Sequence, residues 1–150
     1  MKKILSRILA MAIAIVLFAA PVTTQAATWQ SIIDNSSGTY TEKTFIYNPA
    51  DPLVINAGDT AGLPNNVNSG GFFARAGQGF TCSVIFTDLG ENNLLLYNQL
   101  SGQLISVQYT GLGNFGYIHV TIPQSGYYIP VVQPVNGYNL TVEKYTVYVY

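Results

Sequence analysis

From residue 39 onward, apolar side chains recur at every second position in short runs, and residues that break regular backbone separate the runs. Ile105, Val107 and Tyr109 oppose Ser106 and Gln108, and further on Tyr138, Leu140 and Val142 oppose Asn139, Thr141 and Glu143. A period of two sends alternate side chains to opposite faces of a β-strand. The pattern predicts strands over 39–47, 53–55, 72–76, 79–87, 93–97, 103–110, 115–122, 127–133, 138–143 and 145–150. Between them, 48–52, 88–92, 101–102, 111–114 and 123–126 supply the Gly, Pro, Asn, Asp and Ser that turns require. Turn signals about every 8–12 residues mark a sandwich or barrel. The expected fold is therefore all-β, an antiparallel β-sandwich of jelly-roll-like form.

Three stretches depart from the alternation. Leu94-Leu95-Leu96 is apolar on both faces and reads as a central strand covered on both sides. Residues 56–71, rich in Gly, Asn and Pro, read as a long loop, and Trp29 to Asp34 reads as one helical turn ended by Asn35-Ser36-Ser37-Gly38. The predicted core comprises Phe80, Val84, Phe86, Leu94, Leu96, Val107, Ile118, Val120, Ile122, Ile129, Val131, Leu140 and Val142. In the strand that ends in Leu140 and Val142 the core phase is even, yet Tyr145, Val147 and Val149 fall on odd positions. A bulge or turn near Glu143-Lys144 would reconcile the two. The tail then pairs with residues 39–47 or remains an edge for another chain.

The N-terminus has a different composition. Lys2, Lys3 and Arg7 precede an uncharged apolar run from Ile8 to Ala20, then Pro21 and the small-residue site Thr24-Gln25-Ala26. This is the layout of a cleavable secretory signal peptide over 1–26, leaving one domain at 27–150. The run is short of the ~20 residues that span a bilayer, so the expectation is a secreted protein with no membrane attachment after cleavage.

Without that segment, Lys43, Arg75 and Lys144 stand against Asp34, Glu42, Asp51, Asp59, Asp88, Glu91 and Glu143, three bases to seven acids, a net charge of −4. Three scattered bases do not neutralise a phosphate backbone, which argues against nucleic acid as a partner. The single Cys82 excludes an intrachain disulfide and, in phase with Phe80 and Val84, reads as a small buried hydrophobe.

The order of elements from residue 71 to 143 resembles the bacterial pre-peptidase C-terminal (PPC) domain, a small β-sandwich found beside secreted proteases. The similar features are Phe72-Phe73, then Ala76-Gly77-Gln78 ahead of a strand, Asn93-Leu94-Leu95-Leu96-Tyr97-Asn98, and Ile122-Pro123-Gln124-Ser125-Gly126-Tyr127-Tyr128-Ile129-Pro130-Val131 with the closing Tyr138-Asn139-Leu140-Thr141-Val142. Asn92-Asn93 stand where that family usually has acids. The resemblance implies a sandwich that binds rather than catalyses.

Candidate chemistry is sparse. His119 is the sole His, mid-strand and out of phase with Ile118 and Val120, and no Gly-x-Ser-x-Gly motif accompanies it. With seven acids, a pair at glycosidase spacing can arise by chance, so no catalytic residues are assigned. No cofactor is implied except calcium, for which Asp88, Glu91 and Asn92 are the candidate oxygen ligands, in a stretch that reads equally as a polar turn. Eleven tyrosines are more unusual, and Tyr127, Tyr128, Tyr148 and Tyr150 form the candidate ligand-binding row. The function expected first is a secreted non-catalytic binding module for an extracellular polysaccharide or protein surface. The alternative is a structural β protein that self-associates through Tyr145 to Tyr150, and a small secreted hydrolase comes third.

Overall fold

Buried residues hold the even positions, Asp88 excepted, through one strand of 20 residues, and this strand organises the rest of the molecule. The computed structural model describes residues 29–66, 70–105 and 110–150. The predicted signal segment and residues 106–109, including the expected core residue Val107, lie outside these. The described strands are β1 (Trp29–Asp34), β2 (Thr41–Tyr47), β3 (Leu53–Ile55), β4 (Ala61–Gly62), β5 (Phe72–Ala74), β6 (Gly79–Asn98), β7 (Leu104–Ile105), β8 (Thr110–Thr121), β9 (Gly126–Val135) and β10 (Leu140–Val149). All pairings among them are antiparallel, and none of the described residues is helical.

β8 follows one edge of β6 from Gly79 to Asn93. Along the other edge, β10 flanks the first half, Phe80 to Phe86, and β9 the second, Glu91 to Asn98. Asn136 and Gly137 make the corner between β9 and β10 with φ of 57° and 77°. Two successive left-handed residues are the requirement of a tight primed turn, which Asn-Gly meets with least strain. β2 and β1 extend the sheet beyond β10, while β4 and β5 both pair with β9.

The sheet curls on itself. Phe45 on β2 and Phe72 on β5 lie far apart in strand order, yet their rings meet edge-on at 5.9 Å. Tyr145 on β10 donates its hydroxyl to the Pro64 carbonyl, just past β4, at 2.5 Å. The enclosed face holds one core in which Phe45, Phe72, Phe80, Phe86, Leu94, Leu96, Tyr128 and Tyr145 are fully buried. Each large side chain removed from water in this way contributes about 1.5–3 kcal/mol.

The expected core is found at Phe80, Val84, Phe86, Leu94, Leu96, Ile118, Ile122, Leu140 and Val142, with Val120 only partly covered, whereas Ile129 and Val131 are buried on the other face of β9 and Tyr128 and Val132 take the core side. Cys82 is buried as read, and burial pushes its thiol pKa up. The register of β10 against β6 shifts between Val142 and Lys144, and burial passes there from even to odd positions, as the alternation required.

Several expectations are corrected. Residues 29–34 form a strand, not a helical turn, because Ile32 and Ile33 are β-branched and their backbone pairs with Phe45 and Thr44. Residues 88–92 are not a turn but part of β6, where the register against β8 shifts between Ile85 and Gly90. Gly90 permits this, since a Cβ there would stand 3.0 Å from Leu140 and 3.1 Å from Tyr138. Residues 111–114 likewise belong to β8. Leu95 is partly exposed between buried Leu94 and Leu96, although Val131, its partner in register on the same face, is buried. The long loop contains β4, whose neighbour Leu63 donates its backbone N–H to Pro130 and is fully buried.

Candidate functional site

The first half of β6, with β2, β10 and β8, presents an outward face whose rows follow from the register. Tyr148, Thr81 and His119 are directly opposite one another across β10, β6 and β8. The next row is Thr44, Thr146, Ser83 and Tyr117, and the next Ile46, Lys144, Ile85 and Phe115. Because pairs in register share a face, Phe115, Tyr117 and His119 of β8 and the even residues of β10 from Lys144 onward all point away from the core.

Aromatic rings line this face. Tyr40, in the β1–β2 connection, lies 5.4 Å from Tyr148 between ring centroids, and Tyr148 stacks on Tyr150 at 4.8 Å. Tyr150 in turn lies nearly parallel to the His119 imidazole at 6.2 Å, and on β8 Tyr117 stacks beside Phe115 at 6.4 Å. Tyr150 reaches His119 by lying across Gly79, with which it exchanges both backbone hydrogen bonds. A Cβ on Gly79 would stand 2.7 Å from the Tyr150 ring. Hydroxyls fill the gaps between rings: Thr44 and Thr146 hydrogen-bond at 2.8 Å, and Thr81 Oγ1 lies 3.1 Å from His119 Nδ1. Flat, half-wet aromatic area interleaved with short hydroxyl side chains offers stacking surface and polar contacts at little cost in side-chain entropy.

Beside Tyr40, at the end of the sheet, lies a depression of about 150 Å³ lined by Tyr40, Phe73, Arg75, Gln78 and the inward-facing Val149 among others. Its floor is ordered by a tight turn, in which the Gln78 side-chain oxygen accepts the Arg75 N–H at 2.8 Å and the Arg75 carbonyl accepts the Gln78 N–H at 3.1 Å. Phe73 forms an exposed pair with Tyr127, 5.3 Å between centroids.

The tyrosines read as a row therefore separate. Tyr148 and Tyr150 belong to the outward face, Tyr127 is exposed with Phe73, and Tyr128 is corrected to a core residue. The Tyr128 hydroxyl donates to the Gln124 carbonyl and accepts from Asn98 Nδ2 at 3.2 Å, and burial raises its pKa. Tyr40, Phe115 and Tyr117 were not singled out from sequence, although the odd-position series Phe115, Tyr117 and His119 carried the signal.

The calcium candidates are not gathered around a point. They lie along extended strand: Asp88 accepts the Thr141 N–H at 2.8 Å, Glu91 accepts from the Asn136 amide, and Asn92 is buried in the core. Among the described residues no three His, Cys, Asp or Glu side chains are placed to hold a metal ion. Nor is any described helix long and apolar enough to cross a membrane.

The tail is not a free edge. From Lys144 to Val149, β10 pairs with β2 on one side and with β6 on the other, so the backbone there is already paired. Tyr148 and Tyr150 project from the tail on the outward face, stacked on each other.

No family model and no curated protein matches the chain. Among solved structures, one described as CapF with the inhibitor 3-isopropenyl-tropolone is similar over 79% of this chain, at 10% identity and a TM-score of 0.34. The chain spans about 30% of that structure's length.

Proposed function

We propose that this protein is a secreted, non-catalytic binding module that holds an extracellular polysaccharide against the outward face of β2, β10, β6 and β8. The observation that carries this reading is the continuous aromatic series Tyr40, Tyr148, Tyr150 and His119 on a sheet face interleaved with hydroxyls. Sugar rings have one apolar face and a polar rim, and such a surface meets both. A non-catalytic role is supported by the surroundings of His119, whose Nδ1 is approached by the hydroxyls of Thr81 and Tyr150. A hydrolytic base is instead oriented by an acid.

The same reading includes the signal peptide at 1–26 and a two-layered sandwich of PPC-like kind. The contacts of Phe45 with Phe72 and of Tyr145 with Pro64 support two layers, because each joins elements from opposite ends of the sheet.

The test is retention of the purified protein on insoluble polysaccharides and cell walls, beside a Tyr148→Ala, Tyr150→Ala double variant. Loss of two stacking rings weakens retention by roughly tenfold or more while the melting temperature stays close to that of the parent. Retention on no polymer, or equal retention of both proteins, would count against the proposal. Light scattering run in parallel addresses the second reading, a self-associating structural protein. That reading is favoured by β8, which among the described strands pairs only with β6 and leaves Phe115 and Tyr117 exposed beside its outer edge.

A further inference from the structure

Positive charge is scarce on this protein, and its distribution is uneven. Of the three bases beyond residue 26, Lys43 is held by Asp34 at 3.2 Å. Arg75 and Lys144 make no ion pair among the described residues. Lys144 stands in the outward row with Phe115, and Arg75 lines the depression at the opposite end, beside Tyr40. A net-acidic chain thus has both of its uncommitted cations bordering the aromatic face.

The setting of Arg75 is that of a built recess. Its backbone is pinned on both sides by Gln78, which leaves the guanidinium as the part free to meet a ligand. Gln78, Tyr40, Ser37 and Thr39 line the same space together with Phe73, the Ser37 and Thr39 hydroxyls lying 3.1 Å from each other. A planar guanidinium with five donors matches a carboxylate in bidentate fashion, and neighbouring neutral donors complete its remaining lone pairs. Tyr40 belongs both to the recess and, through Tyr148, to the aromatic series, so one extended ligand can occupy both.

We infer that the depression around Arg75 binds the carboxylate of a uronic-acid residue, and that the glycan this protein prefers is an acidic one whose neighbouring rings lie along Tyr148, Tyr150 and His119. The inference rests on the polysaccharide-binding reading and narrows it to a class of sugar. Recognition is local, one guanidinium to one carboxylate, so it needs none of the broad positive field that nucleic acid demands.

Titration calorimetry of the purified protein with a short oligogalacturonate and with its carboxyl-reduced, neutral counterpart tests this. The acidic oligomer is expected to bind about tenfold more tightly, and Arg75→Gln to abolish that preference. Arg75 is exposed, so the variant retains the parent's melting temperature. If both oligomers bind equally to the parent and Arg75→Gln changes neither, the carboxylate site is overturned and the aromatic-face reading stands. If neither oligomer binds, and the Tyr148→Ala, Tyr150→Ala variant matches the parent on every polymer, both fail together.

Discussion

The ring of Tyr150 occupies the space that a side chain on Gly79 would need, 2.7 Å from where its Cβ would stand. Both residues lie beside His119, and the absence of a side chain at Gly79 lets the ring lie across the strand instead of out into solvent. Gly79→Ala is expected to keep the fold, because the obstructing atoms are the far end of an exposed and movable side chain. The melting temperature should fall by no more than a few degrees. Retention on polysaccharide should nonetheless drop as far as it does in Tyr150→Ala. Full binding by Gly79→Ala would show that the position of Tyr150 is irrelevant to the face.

Asn98 and Tyr128 form a second pair, wholly inside. The Asn98 amide oxygen accepts the N–H groups of Leu100 at 2.9 Å and Ser101 at 3.3 Å, while its nitrogen donates to Tyr128. Since the Tyr128 proton goes to Gln124, Asn98→Asp sets a carboxylate against a hydroxyl with no proton left to give. The expected cost is about 2–3 kcal/mol in a denaturant titration. Adding Tyr128→Phe to the Asn98→Asp variant should recover part of that loss, a coupling that a double-mutant cycle reads directly. Additive effects would mean that the two side chains do not interact as described.

This pair also shows what the sequence made legible and what it hid. Period-two alternation identified the inward set of β6 and β10 and located the bulge at Val142–Lys144 from a change of phase alone, but on β9 it took Ile129 and Val131 where Tyr128 and Val132 join the core. It could not distinguish Tyr127 from its neighbour Tyr128, because adjacent residues in a strand take opposite faces and Tyr suits either. Turn chemistry misled at residues 88–92. Asp88 and Glu91 there serve side-chain contacts to Thr141 and Asn136 within an unbroken strand. The outward aromatic series draws on β8, β10 and the β1–β2 connection, so its assembly depends on strand order, which no local pattern encodes. Arg75 joins it for the same reason.

Tyr47 and Tyr145 give the fold an alkaline limit. Both are buried, and burial pushes the Tyr47 phenol from 10.0 up to about 12. Tyr145 is also raised, by burial first and then by the proximity of Tyr47. A phenol whose folded pKa exceeds its unfolded one contributes stability fully below pH 10, and this is lost as the pH rises through the folded value. The unfolded chain releases its proton in that window while the folded one retains it. Stability should be level up to about pH 10 and then decline, by about 3 kcal/mol towards pH 12 from Tyr47 alone. A Tyr47→Phe, Tyr145→Phe variant starts lower, having lost the bond to Pro64, but should show a much flatter profile in urea titrations across this range. Parallel declines in the two proteins would place the alkaline limit elsewhere.

The end of the chain provides the last prediction. Removing Tyr150 alone takes away an exposed ring and the hydrogen bonds exchanged with Gly79, at the margin of the sheet. That truncation should fold, melt cooperatively and bind polysaccharide weakly. Removing residues 145–150 is a different operation. It deletes the part of β10 that lies between β2 and β6, and with it the fully buried Tyr145 and Val147 and the nearly buried Val149. At about 1.5–3 kcal/mol for each side chain, before any ladder hydrogen bonds are counted, the loss rivals the roughly 5–15 kcal/mol that holds a typical domain together. β1 and β2 would also be cut off, since β2 reaches the rest of the sheet through β10. The shorter truncation should therefore retain slow hydrogen exchange along residues 41–47, and the longer one should lose it together with any cooperative melting transition. A cooperative melt within a few degrees of the parent after loss of residues 145–150 would disprove the central placement of β10.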